Sequence, residues 1–215
     1  MANHCYNFVE FIGDPSSLHK LNKRLERISK QQLKEDYLDK GLPVPGYKQD
    51  VVWLNGSNTH ELLFKKQPTS NFDVYEEYGS KWFECNFQYN EEDDNLTIQG
   101  DSAWSPMLPL FSSLCKKYKV RCAGNYAESG MDFAGEFEID TDGYLEDNEM
   151  TYRKYEAKNN PESFWDQVIY EIEEGYFESL EAVYQEFTRA DWVLSESEAT
   201  ELKKVYENSV KENES

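Results

Sequence analysis

Three carboxylates, Glu128, Asp132 and Glu136, fall in and just after the run YAESGMDFAG, and they are the side chains here best suited to chemistry. Hard cations take carboxylate oxygen, so these groups drawn together would hold a divalent metal for hydrolysis. Trp82, Trp104 and Tyr126 lie at neighbouring strand ends and turns. With the carboxylates they would line a pocket at one end of a sheet, fit for a small ligand or a peptide. Two facts weigh against catalysis. No His is near in sequence, and strand alternation sends successive side chains to opposite faces. The Trp and Gly residues serve equally well to fix a tight turn and a corner of the core. His4, His19 and His60 have no nucleophile motif beside them, and no phosphate loop, dinucleotide fingerprint or kinase signature is present. An enzyme is therefore the lesser reading, and no metal or cofactor is expected. Cys5, Cys85, Cys115 and Cys122 lack a C-x-x-C pair and read as buried thiols.

The elements that must position these residues centre on Gly100–Asp140. Ser105 and Pro106 predict an N-cap and first helical position, with Met107, Leu108, Phe111, Leu114, Cys115 and Tyr118 on one face. Strands are predicted over 5–12, 81–89, 96–103, 119–126, 133–140 and 146–155. A helix with Leu18, Leu21, Leu25 and Ile28 as its apolar stripe follows the first of them. Residues 35–79, with Gly41, Pro43, Pro45 and Gly46, read as an irregular insertion. One or two short helices there would bury Trp53, Leu54, Leu62, Leu63 and Phe64. Strand, helix, strand, strand, helix, strand is the split βαβ order, an α+β ferredoxin-like antiparallel sheet with extra strands over residues 1–158. Residues 159–215 read as a helical appendage. Asn160-Pro161 starts one helix, Gly175 ends it, and Ser195 with Glu198 forms a capping box for the last.

Net charge is −20 across 215 residues and is unevenly spread. Residues 1–70 hold 10 Lys/Arg against 8 Asp/Glu, and residues 123–202 hold 4 against 22. Such a field repels phosphate backbones and draws basic proteins. Nucleic acid is thus an unlikely partner, and a basic protein the expected one. Glu171, Glu173, Glu174, Glu178 and Glu181 form the candidate acidic tail surface. The positive face of the first helix, Lys20 to Lys34, reads as a solvated surface. Its rival reading, RNA binding with sheet aromatics, lacks the expected aromatic run. No apolar run is long enough for a membrane span, and no basic segment with an apolar core opens the chain, so a cytoplasmic location is expected. Oligomeric state is not specified by these features.

Four short runs carry a resemblance: Met1-Ala2-Asn3-His4-Cys5 with Asn7, Tyr78 to Trp82 (YGSKW), Ser102 to Pro106 (SAWSP), and Tyr126 to Gly135. In order and spacing the chain resembles the YubB-type ferredoxin-like domain over about residues 1–155. That family is carried by plasmids, phages and other mobile elements and has no established biochemical role. The resemblance implies a mobile-element origin, and with the charge distribution the expected function is that of a non-enzymatic interaction protein. Its acidic surface would engage a basic host protein, acting as a nucleic-acid mimic. The alternative is a carboxylate-based enzyme or a small-ligand domain built around Trp104, Tyr126 and Glu128.

Overall fold

The computed structural model describes residues 3–43, 50–55, 58–63 and 70–213, which divide into two compact units, residues 1–149 and 150–215. In the first, β1 (His4–Ile12), α1 (Pro15–Asp39), β2 (Val51–Asn55), α2 (Thr59–Leu63) and α3 (Asn71–Tyr78) precede β3 (Trp82–Asn90) and β4 (Asn95–Ala103). Then come α4 (Leu108–Tyr118), β5 (Arg121–Glu128), β6 (Phe133–Ile139) and β7 (Leu145–Met150). The seven strands form one sheet in the order β2-β3-β4-β1-β5-β6-β7. Its centre, β3-β4-β1-β5, is the ferredoxin-like arrangement. Helix α1 leads from β1 past β4 and β3 to the edge strand β2, from which α2 and α3 return to β3, and α4 links β4 to β5 across β1, which leaves neighbouring strands antiparallel. β2 extends one edge, and β6 and β7 the other.

Alternation decides which side chains meet the helices. Cys5, Val9 and Phe11 of β1, Phe83, Cys85 and Phe87 of β3, and Leu96 and Ile98 of β4 are buried. They share one core with Leu18, Leu21, Leu25 and Ile28 of α1 and Leu110, Phe111 and Leu114 of α4. Phe111 lies edge-on to Phe11 and Phe83 and stacks on Phe137, which makes it the hub of the aromatic packing. All four cysteines are buried here. The alternate residues of β1 and β3 form the other face and are exposed or half-buried.

Local chemistry moved several elements from their expected places. Helix α4 starts at Leu108, not at Ser105, with Met107 as a cap that has no side-chain hydrogen bond. The Ser105 hydroxyl donates instead to Gly79 O at 2.5 Å. The supposed irregular insertion contains β2, whose run VVWLN pairs with β3 in register Trp53↔Glu84. It also contains the end of α1, together with α2 and α3. Leu54, Leu62 and Leu63 are buried, Trp53 is 41% exposed rather than buried, and Phe64 lies outside the described residues. β7 stops at Met150 because Thr151 caps a new helix, its hydroxyl accepting from Lys154 N–H at 3.2 Å.

The second unit comprises α5 (Tyr152–Asn159), α6 (Pro161–Glu173), α7 (Leu180–Arg189) and α8 (Glu196–Asn213). Phe164, Val168, Ile172, Val183, Phe187 and Leu202 form its core, with Trp165 and Trp192 packed on them. The Ser195 and Glu198 box is formed in both directions. Asn160 precedes Pro161 but makes no side-chain cap, its amide reaching back to Glu156. Helix α6 ends before Gly175, which adopts φ 75. Among the described residues no helix is long and apolar enough to cross a membrane.

Candidate functional site

The first three of the short runs meet in one hydrogen-bonded corner, where β1, β4 and the start of α4 come together. Asn7 is fully buried, and its amide donates to Cys5 O and to Ser102 Oγ, both at 2.8 Å. Its Oδ1 accepts from Met107 N–H at 2.9 Å, so a side chain from β1 caps α4. Ser102 Oγ donates to Ser105 O at 2.7 Å, and Ser80 Oγ to Ala103 O at 2.6 Å. Gly79, at φ 88, lies where an added Cβ would come within 2.5 Å of Pro106 O. These residues thus join β1, β4 and the two loops leading to β3 and α4. Beside them, burial pushes the Cys5 thiol up to about 12.

Trp104 follows this corner at φ 70, a left-handed backbone that is strained for a bulky side chain, and its N–H donates to Asn3 O at 3.0 Å. Its ring is 46% exposed. Tyr126 is buried against Gly135, its register partner on β6, where a Cβ would come within 2.4 Å of the ring. The Tyr126 hydroxyl donates to both oxygens of Asp147 at 3.1 Å. Burial, with the neighbouring Asp147 charge, raises the Tyr126 pKa. Partial desolvation and Glu149 raise that of Asp147, and the hydrogen bond from Tyr126 opposes them.

Glu128 is 3% exposed, and its two oxygens accept from Gly130 N–H at 3.0 Å and Met131 N–H at 2.5 Å. The carboxylate therefore closes the turn between β5 and β6. Asp132 occupies that turn at φ 53, exposed. Glu136 lies across the sheet from Glu128, where it lines a shallow hollow of 420 Å³ with Glu10, Asn125, Glu138, Glu146 and Asn148. Trp82, Trp104, Glu128 and Asp132 share one end of the sheet, where the Glu128 carboxylate is taken up by its own turn. Glu128 and Glu136 look to opposite faces, and among the described residues no three His, Cys, Asp or Glu side chains group to hold a metal ion.

Beside the expected Trp82, the open face carries Trp53, His4, Glu84, Asp101 and Tyr6, which the sequence did not single out as a site. Trp53 and Trp82 stack at 5.1 Å and 15°, and His4 meets Trp82 edge-on at 5.4 Å. His4 Nδ1 lies 3.9 Å from Asp101 Oδ2. Strand register sets Trp53 opposite Glu84, Glu84 opposite Asp101, and Asp101 opposite Tyr6. The visible signal was the even-numbered set in KWFECNFQY, whose Trp82 and Glu84 point away from the core.

In the second unit, Glu171 is not part of the exposed acidic surface. Arg153 Nη2 binds its two oxygens at 2.6 and 2.8 Å, and Arg153 Nε lies 3.5 Å from Glu186. Glu173, Glu174, Glu178 and Glu181 are exposed, and none forms a side-chain hydrogen bond or ion pair among the described residues.

Strand order and helix placement define the class, a ferredoxin-like α+β domain widened at both edges. Residues 81–168 match a family model described as a ferredoxin-like domain in Api92-like protein, and to that extent the chain is similar to such domains. The matched segment runs from β3 through β7 and α5 into α6. No curated protein and no solved structure matches the chain.

Proposed function

We propose that this chain is a non-enzymatic interaction protein, encoded by a mobile element of the kind that carries YubB-type domains, which binds a basic host protein in the cytoplasm. The observation that supports it most is the placement of Glu173 and Glu174. Both sit at the C-terminal end of α6, a helix with no basic residue in its last turn. Carbonyl ends of helices disfavour anions by about 0.3–1 kcal/mol each, and among the described residues these carboxylates have no ion-pair partner to offset that. With Glu178 and Glu181 close by in sequence, Glu181 in the first turn of α7, the result is an exposed anionic edge that suits an external cation. Arrayed carboxylates also imitate phosphate charge, which favours a partner whose own ligand is nucleic acid.

Capture from bacterial lysate at low and high salt tests this reading. Basic proteins should be held at low salt and released at high salt, and capture should fall when Glu173, Glu174, Glu178 and Glu181 are replaced together by Gln. Capture that is indifferent to salt and to the replacement defeats it.

A further inference from the structure

The row across β2, β3, β4 and β1 has a composition that sheet stability alone does not favour. Its four members are Trp53, Glu84, Asp101 and Tyr6, paired in that sequence by register. Two carboxylates therefore stand opposite each other on adjacent strands, an arrangement that destabilises a sheet. An aromatic ring flanks each. Trp53 and Tyr6 are each 41% exposed, the Asp101 side chain is 49% exposed, and Glu84 is exposed. Trp82, stacked on Trp53, extends the aromatic wall toward His4. Partial burial, and then the Asp101 charge, raise the Tyr6 pKa.

We propose that this row is the docking site for an arginine side chain of the basic partner, an inference that rests on the function proposed above and places it on a second surface. A guanidinium suits the row for three reasons. Its charge removes the repulsion between Glu84 and Asp101. Its planar fork of N–H donors reaches two carboxylates at once, and its flat face stacks on indole and phenol rings. Lysine offers a point charge without the plane. Nucleic acid would find rings for its bases, as it does on other sheets of this class, but would carry its phosphates past Glu84, Asp101, Glu10 and Glu138.

The test uses the full chain with three labelled probes, an Arg-Gly repeat peptide, the matching Lys-Gly peptide and oligouridine, with affinity read by fluorescence anisotropy. The Arg-Gly peptide should bind most tightly, and E84Q/D101N should weaken it about tenfold, the loss expected for charged hydrogen bonds. Trp53→Leu should weaken it too. The E84Q/D101N protein should melt cooperatively, at or above the wild-type midpoint, since a repulsive pair has been neutralised. A lower midpoint would overturn the inference, as would oligouridine binding better than the peptides. Should both peptides bind and lose affinity only in the Gln variant of Glu173, Glu174, Glu178 and Glu181, the docking site is wrong and the partner reading stands. If neither peptide binds the wild type, both fall.

Discussion

The carboxamide of Gln32 brackets the backbone of Trp53, its Oε1 accepting from Trp53 N–H at 3.0 Å and its Nε2 donating to Trp53 C=O at 2.5 Å. Trp53 lies on β2, the terminal strand of the sheet, and these are the polar groups turned away from β3. An uncovered strand edge is a template for another chain. Here a side chain from α1 stands in for the missing neighbour, and Asn58 Nδ2 adds a second donor to the same carbonyl at 2.7 Å. Gln32→Ala should cost about 1 kcal/mol in urea unfolding. It should also produce association that grows with concentration in light scattering. A monomer of unchanged stability would contradict this account.

The Asn7 corner supports a larger effect. All three hydrogen bonds of its amide are made inside the protein, to Cys5, Ser102 and Met107. Asn7→Leu keeps the volume similar but leaves the buried Met107 N–H without its partner, at roughly 1–3 kcal/mol, and takes one bond each from Cys5 O and Ser102 Oγ, which still bond to each other. A loss of about 2 kcal/mol or more is expected, read from the urea midpoint at constant slope. Asn7→Asp should cost as much by a different route, since a carboxylate cannot donate to Cys5 O. A change under about 1 kcal/mol in either variant would mean that the corner is held elsewhere.

These two sites show what a sequence makes legible. The strands β1, β3, β4, β5 and β6 and the stripe of α1 announced themselves through alternation and three- and four-residue steps, because burial on one face imposes those periods. The capping box at Ser195 was readable because its partners are three residues apart. The cap of α4 was not, since Asn7 lies 100 residues from Met107 and local rules favoured Ser105. β2 hid among glycines and prolines, although VVWLN has strand composition, because its pairing partner follows two intervening helices. Of the candidate residues, the sequence grouped Trp82, Trp104, Tyr126, Glu128, Asp132 and Glu136 at one sheet end, but Glu136 faces away from Glu128. The sequence could not say that Glu128 is spent on a turn, or that Trp53, Glu84, Asp101 and Tyr6 align, because register joins residues far apart in the chain.

Gly135 is required by the ring of Tyr126. An added methyl would come within 2.4 Å of it, and the ring is held in place by burial and by the bond to Asp147. Gly135→Ala should therefore destabilise by about 2 kcal/mol, the scale of overpacking in a filled core. Adding Tyr126→Val should recover part of that loss, so that the two changes together cost less than their sum. Strict additivity, measured by thermal melts of the four proteins in the cycle, would show that the ring is not what excludes a side chain at 135.

Asp147 gives the fold a pH dependence of definite sign. Partial desolvation of this surface carboxyl first, and then the charge of Glu149, raise its pKa above the ordinary 3.8, while the hydrogen bond from Tyr126 works the other way. A carboxyl with a raised folded pKa holds its proton more firmly in the folded state. Its contribution to stability is therefore fully present below the ordinary value and is lost as pH rises through the raised one. The folded protein carries this carboxylate at a cost at neutral pH. Asp147→Asn, which retains an oxygen for Tyr126, should accordingly raise the urea midpoint at neutral pH and leave it nearly unchanged in acid. The difference between variant and wild type should shrink steadily as pH is lowered through the mildly acidic range. A variant less stable at neutral pH, with the gap closing in acid, would show that Asp147 is stabilised as an anion and that the Tyr126 bond outweighs desolvation.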